Sequence, residues 1–160
     1  MIVREATYEE IPALLEMARM MHAESDYGPV PFEDEMCQIF LEIVVNETDH
    51  VALVAVKDNE IVGAFLGAVV PYFFSRQLRV SDITLYVLPE HRGSSAAYRL
   101  DQAAEAWGES KGAVRNYRGI TTNNPKADAF YKKMGYDCIG GFYRKEGRSL
   151  LSTPEGGSNV

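Results

Sequence analysis

The sequence predicts an α/β fold of the α+β kind: one mixed, mostly antiparallel central sheet flanked by helices on both faces. Three observations predict it. Apolar residues recur at helical spacing in four separate segments, three β-rich runs follow one another between them, and a strand–helix–strand succession comes after those runs. Strands joined by short turns pair antiparallel, whereas a strand that returns through a helix pairs parallel, so one sheet holds both kinds.

"MIVREA" is a short first strand. The following "REATYEEIPALLEMARMMHAES" puts Ile11, Leu14, Leu15, Ala18 and Met21 on one helical face, and Thr7 with Glu10 forms a capping box at its start. "SDYGPVP", with one Gly and two Pro, is a loop. A second helix, from about Phe32 to Val45, is expected to turn Met36, Phe40 and Ile43 to the core. "HVALVAV" and "EIVGAFLGAVVPYFF" are strands joined by the polar hairpin turn "KDNE", and Gly63 and Gly67 mark a bulge or a close backbone approach. "LRVSDITLYVL" is the next strand. From Ser94 to about Lys111 a helix carries Ala97, Leu100, Ala104 and Trp107 on one face, and Gly112 ends it. "AVRNYRGITT" reads as a strand, "NPKADAFYKKM" as a short helix stopped by Gly135, and "YDCIGGFYRKE" as a last strand. A single domain over residues 1–147 and a polar tail over 148–160 that frays at its end complete the expectation.

With 160 residues, 46% of them hydrophobic and 24% charged, the chain is long enough to bury one core without disulfides or metal. Its two cysteines, Cys37 and Cys138, lack CxxC spacing, which excludes a zinc or redox motif and reads as two buried thiols of a cytoplasmic protein. The early charges of "MIVREATYEEIP" argue against a secretory leader, and no apolar run reaches the roughly 18 residues of a membrane span. A net charge of −7 disfavours broad contact with nucleic acid and favours a cationic small molecule or basic peptide.

"LPEHRGSSAAYRL" carries the chemistry. A strand gives way to a helix there through Arg92, Gly93, Ser94, Ser95, Ala96 and Ala97, a run of small side chains that leaves first-turn amides accessible. Those amides and the helix dipole suit a phosphate or pyrophosphate, although the same stretch also reads as a tight turn with no ligand. No GK[ST] follows, so a P-loop is excluded, and the late position after an antiparallel block disfavours a dinucleotide fold.

"LYVLPEHRGSSAAYRLDQAAEAW" resembles the acyl-CoA-binding segment of the GCN5-related N-acetyltransferases (GNAT), whose pattern is Arg/Gln-x-x-Gly-x-Gly/Ala. Arg92, Ser95 and Ala97 occupy the three positions, with Ser95 where the family has glycine. "NNPKADAFYKKMGYDCIGGFY" resembles the family's Asn-x-x-Ala-x-x-x-Tyr-x-x-x-Gly-Phe segment through Asn124, Ala127, Tyr131, Gly135 and Tyr136, and "MHAESDYGPVPF" is similar to small acetyltransferases encoded by bacteriophages, which would place the protein in a host cytoplasm.

The resemblance implies direct attack of a primary amine on acetyl-CoA through a tetrahedral intermediate, with no metal. It implies that backbone amides of Leu85, Tyr86 and Val87 meet the pantetheine arm and acetyl carbonyl, that residues 92–97 surround the pyrophosphate, and that Asn124 and Ala127 also lie at the coenzyme. Tyr131 stands at the position of the proton donor to the leaving thiolate, a role a phenol can fill at neutral pH. Asp82, on the strand before the corner, is the candidate base, with His22 and Glu24 as alternatives. Glu24, Asp26, Tyr27 and Tyr72 are expected to receive a cationic acceptor through charge and cation–π contact. A catalytically silent acyl-CoA-binding module, and acetylation of an amino-bearing nucleic-acid base along Arg76, Arg79, Arg115 and Arg118, are the competing readings. A homodimer is compatible with each of them.

Overall fold

In a computed structural model of the protein, residues 1–122 and 124–147 are described. Strand β1 (Ile2–Glu5) is followed by a 3-10 turn and helix α1 (Ile11–Glu24), then α2 (Asp34–Asn46). Three long strands come next: β2 (His50–Lys57), β3 (Glu60–Tyr72) and β4 (Ser75–Val87). Helix α3 (Ala96–Ser110), strand β5 (Ala113–Tyr117) and helix α4 (Pro125–Lys133) complete the order. The sheet runs β1-β2-β3-β4-β5, antiparallel throughout except for the parallel pair β4–β5, as the crossover through α3 requires.

The alternation of β2 shows why both faces need helices. Val51, Leu53 and Ala55 point to one cluster, which α3 closes with Ala96, Leu100 and Ala104. Ala52 and Val54 point to the other, closed by Ile11, Leu14 and Met17 of α1 and Leu41 and Val44 of α2. The capping box forms, with the Thr7 amide donating to the Glu10 carboxylate at 2.9 Å. The hairpin turn is a two-residue one, Asp58 and Asn59 both adopting positive φ (51° and 67°). Gly67 lies at a register shift, and a Cβ there would sit 2.6 Å from the ring of fully buried Phe65. Gly108 lets α3 settle onto β4, since a Cβ would lie 2.3 Å from Val80.

Four expectations need correction. Helix α2 buries Leu41 and Val44, not the predicted Met36, Phe40 and Ile43, which are 61%, 37% and 43% exposed. Both stripes have helical spacing and differ by a rotation of one residue, so periodicity alone cannot choose between them. Strand β5 stops at Tyr117 instead of running to Thr122. "YDCIGGFYRKE" forms no strand; residues 136–147 carry neither helix nor ladder. The segment has β-type composition, but a strand also needs a partner edge, which composition does not report. Cys138 is exposed and Cys37 half-buried, both free, so they are not two buried thiols. The polar tail at 148–160 lies outside the described residues.

Candidate active site

The site begins where β4 and β5 part. Strand β4 pairs with β3 as far as Val87, but with β5 only from Leu78 to Ser81, opposite Ala113 to Tyr117. Among the described residues, its β5-side edge from Asp82 to Val87 is therefore unpaired within the ladder. Two contacts fix the chain that leaves β5. The Gly119 amide donates to the Asp82 carboxylate, 3.1 and 3.0 Å from its two oxygens. The α1–α2 loop grips the departing chain, with the Asp26 amide donating to the Thr121 carbonyl at 2.8 Å and an antiparallel bridge between Ser25 and Thr122.

The open edge leads directly to the small-residue corner. Gly93 has φ +81°, a conformation that favours glycine, and nothing lies within 4 Å of where a Cβ would be. The Ser94 hydroxyl accepts from the Ala96 amide at 3.2 Å. Ser95 is the N-cap of α3 with φ −77°, so the serine in place of the family glycine needs no special backbone conformation. The following first-turn amides of α3 have no intrahelical acceptor, and the positive end of the helix dipole lies there. Ala96 is buried and Ala97 half-buried, small enough to leave that end uncovered.

The Arg92 side chain turns back from this corner. Its Nε donates to the Val87 carbonyl at 3.0 Å and Nη2 to Glu24 at 2.7 Å, while the guanidinium lies 5.3 Å from the Tyr86 ring centre. Glu24 also accepts from the Tyr86 hydroxyl at 2.6 Å. Burial works to raise the Glu24 carboxyl, but the hydrogen bonds from Tyr86 and Arg92 outweigh it and hold the group below its ordinary value. Burial and that carboxylate push the Tyr86 phenol up to about 12. Glu24, expected at the acceptor, thus ties α1 to the corner.

Tyr131, on the inner face of α4 with Ala127, Phe130 and Met134, is half-buried. Its ring packs edge-on against Phe130 and Tyr136, with centroids 5.2 and 5.6 Å apart. Among the described residues its hydroxyl has no hydrogen-bond partner. Burial, then the negative charge of Asp82, raise its phenol well above the ordinary value, so it stays protonated throughout the neutral range. Burial likewise raises the Asp82 carboxyl, opposed by the Gly119 amide and the Arg118 charge. A phenol kept protonated and a carboxyl whose charge acts on it are candidates for a proton donor and a proton acceptor.

The remaining site residues are engaged in ways the sequence does not disclose. Asn124 caps α4, its Oδ1 accepting from the Lys126 amide at 3.0 Å. Asp26 is paired with Arg144 at 2.8 Å, Tyr27 is exposed, and His22 Nε2 lies 2.7 Å from the Val30 carbonyl. Tyr72 and Tyr117 share a hydroxyl contact of 3.2 Å, with the Arg79 guanidinium 5.5 and 5.3 Å from their ring centres. The basic strip of the competing nucleic-acid reading lacks Arg118, whose side chain is only 1% exposed and paired with Asp101. Asp101 was missed altogether: on α3 it occupies an ordinary polar position in the sequence, and only packing reveals it as fully buried.

Among the described residues, no helix is long and apolar enough to cross a membrane. Residues 17–136 match the model of the acetyltransferase (GNAT) family. The chain is 26% identical over 110 residues to an aminoglycoside N(6')-acetyltransferase type 1 from Acinetobacter genomosp. 13, covering 66% of this chain and 75% of that one. Two solved structures share the fold. One is AAC(6')-Iy in complex with the bisubstrate analogue CoA-S-monomethyl-acetylneamine, with TM-score 0.76 and 16% identity over 91% of this chain and 97% of that one. The other is a transcriptional regulator from Bacillus halodurans C-125, with TM-score 0.75 and 18% identity over 91% and 98%. A sheet that opens onto a helix N-terminus, and a family match over three-quarters of the chain, make it a member of the acetyltransferase (GNAT) family, an acetyl-CoA-dependent N-acetyltransferase.

Proposed function

We propose that this protein transfers the acetyl group of acetyl-CoA to a primary amine of a small polycationic acceptor of the aminoglycoside or polyamine class. One observation carries the reading: the β4 edge from Asp82 to Val87, left outside the β4–β5 ladder, leads through the short turn at Pro89–His91 to the N-terminus of α3. That continuous track of backbone donors and acceptors fits the amide-bearing arm of the coenzyme, and the helix end fits its pyrophosphate. Leu85, Tyr86 and Val87 offer the edge, Gly93 to Ala97 cradle the anion, and Ala127 and Asn124 flank it at the start of α4. Arg92 acts by bracing the corner through Val87 and Glu24, more than by reaching the phosphates.

At the reacting end, Asp82 takes a proton from the incoming ammonium, directly or through water, so that a neutral amine attacks the thioester carbon. A β4 amide stabilises the oxyanion, the carbon–sulfur bond breaks, Tyr131 gives its proton to the departing thiolate, and the second proton of the acylated nitrogen returns to the phenolate through water. The kinship to an aminoglycoside acetyltransferase and the net charge of −7 support a cationic acceptor. Tyr27, Asp26 and the Tyr72 aromatic cluster are the surface offered to it, with Asp26 exchanging Arg144 for the substrate. The test is thiol release from acetyl-CoA in the presence of neamine, spermine, a lysine peptide or an amino-bearing nucleoside. Acceleration by neamine or spermine is expected. Acetyl-CoA binding without acceleration by any amine would make the protein a silent module, and acceleration by the nucleoside alone would move the acceptor to nucleic acid.

A further inference from the structure

Beneath the parting strands lies a buried charge that acetyl transfer as described does not use. Arg118 follows the last residue of β5 and turns its side chain inward, where it is 1% exposed. Its Nε donates to Asp101 of α3 at 2.7 Å and its Nη1 to the Tyr117 carbonyl at 3.1 Å. The guanidinium lies over the rings of Phe65 and Tyr136, at 4.9 and 5.4 Å. Among the described residues its buried Nη2 has no partner. A buried donor left unmatched is costly, and a buried ion pair contributes little net stability compared with apolar packing, so stability alone is a poor account of this arrangement.

Its position gives a better one. Arg118 immediately precedes Gly119, whose amide holds Asp82. Tyr136, stacked on the guanidinium, donates from its hydroxyl toward Asp101 and Glu105 and packs against Tyr131. Asp82 is held by the Gly119 amide, the charges of Arg118 and Asp101 act on it, and its own charge acts on Tyr131. Only Arg118 among these charged groups is cationic.

We propose that Arg118 is a positioning residue for acetyl transfer, a buried cation paired with Asp101 that stands next to Gly119 and, with it, orders the Asp82 carboxylate. This inference rests on the reading of Asp82 as the base. In this reading Arg118 acts through Asp82 and Tyr131, not directly on coenzyme or amine. Its charge opposes the burial that raises both groups, whereas Asp101 adds to that rise. Removing Arg118 and removing Asp101 must therefore move Asp82 in opposite directions.

The experiment follows the Asp82 carboxyl by carbon NMR against pH in the full chain, beside the pH profile of kcat with neamine as the acceptor. Arg118→Met is expected to raise the Asp82 titration, and with it the acidic limb of the profile, by about one pH unit or more. Asp101→Asn, which keeps the size of the side chain and its acceptor oxygen, is expected to lower both. Arg118→Lys is expected to restore most of the shift. A common direction for Arg118→Met and Asp101→Asn, or no movement in either, overturns the proposal, because a merely structural bridge has no reason to give opposite signs. If Arg118→Met does not fold, Asp101→Asn decides alone. Asp82→Asn separates the two levels. If it leaves kcat and its acidic limb intact, the base assignment fails, while the NMR shifts still judge the charge coupling on its own.

Discussion

Replacing Tyr131 by Phe removes one oxygen and nothing else. The ring keeps its edge contacts with Phe130 and Tyr136, and among the described residues the hydroxyl makes no hydrogen bond whose loss would unsettle the fold. The stability change is expected to stay below about 1 kcal/mol, the scale of one ordinary hydrogen bond. If the phenol protonates the departing thiolate, kcat is expected to fall about 10²-fold, which is about 2.7 kcal/mol of transition-state stabilisation. Acetyl-CoA affinity is expected to hold, since the hydroxyl serves the leaving group and not the bound ground state. The assay is thiol release with neamine at saturating coenzyme, with affinity measured separately by calorimetry. The wild-type profile supplies a second check. Burial and Asp82 hold the phenol above its ordinary value, so no fall in activity from loss of this acid is expected up to about pH 9.5. Undiminished turnover in Tyr131→Phe would refute the role and leave the thiolate to be protonated by water.

Leu100→Ala empties a fully buried position between α3 and the sheet and is expected to cost about 3 kcal/mol in chemical denaturation at unchanged m-value. Gly93→Ala forces a side chain into φ +81°, about 1–2 kcal/mol of strain; because the corner can relieve it only by moving its amides, acetyl-CoA affinity is expected to weaken measurably in calorimetry. Glu24→Gln removes the charge that, after burial, raises the Tyr86 phenol, so that phenol is expected to titrate below about 12 when followed by NMR. An unchanged titration would show that burial alone sets it.

What the sequence determined by itself is what local chemistry encodes. The capping box at Thr7 and Glu10, the turn at Asp58 and Asn59, and the glycines at 67 and 112 each report a backbone requirement confined to a few neighbours. The alternating apolar runs required a sheet covered on both faces, and the crossover through α3 required the parallel pair. Two motifs at the right separation were enough to point to the family. Tertiary structure decided the choices that depend on partners distant in the chain. Helix α2 has two apolar stripes of equal period, and only docking against β2 and α1 selects Leu41 and Val44 over Phe40 and Ile43. The segment after Tyr136 has the composition of a strand without a ladder, because pairing needs an edge and composition names none. Glu24, expected at the acceptor and as an alternative base, meets Tyr86 and Arg92, more than sixty residues away. Asp101 and Arg118, unremarkable in sequence, become a buried ion pair because α3 crosses the sheet where β4 and β5 separate. Hydrogen bonding and desolvation act through space, and the fold alone brings those charges together.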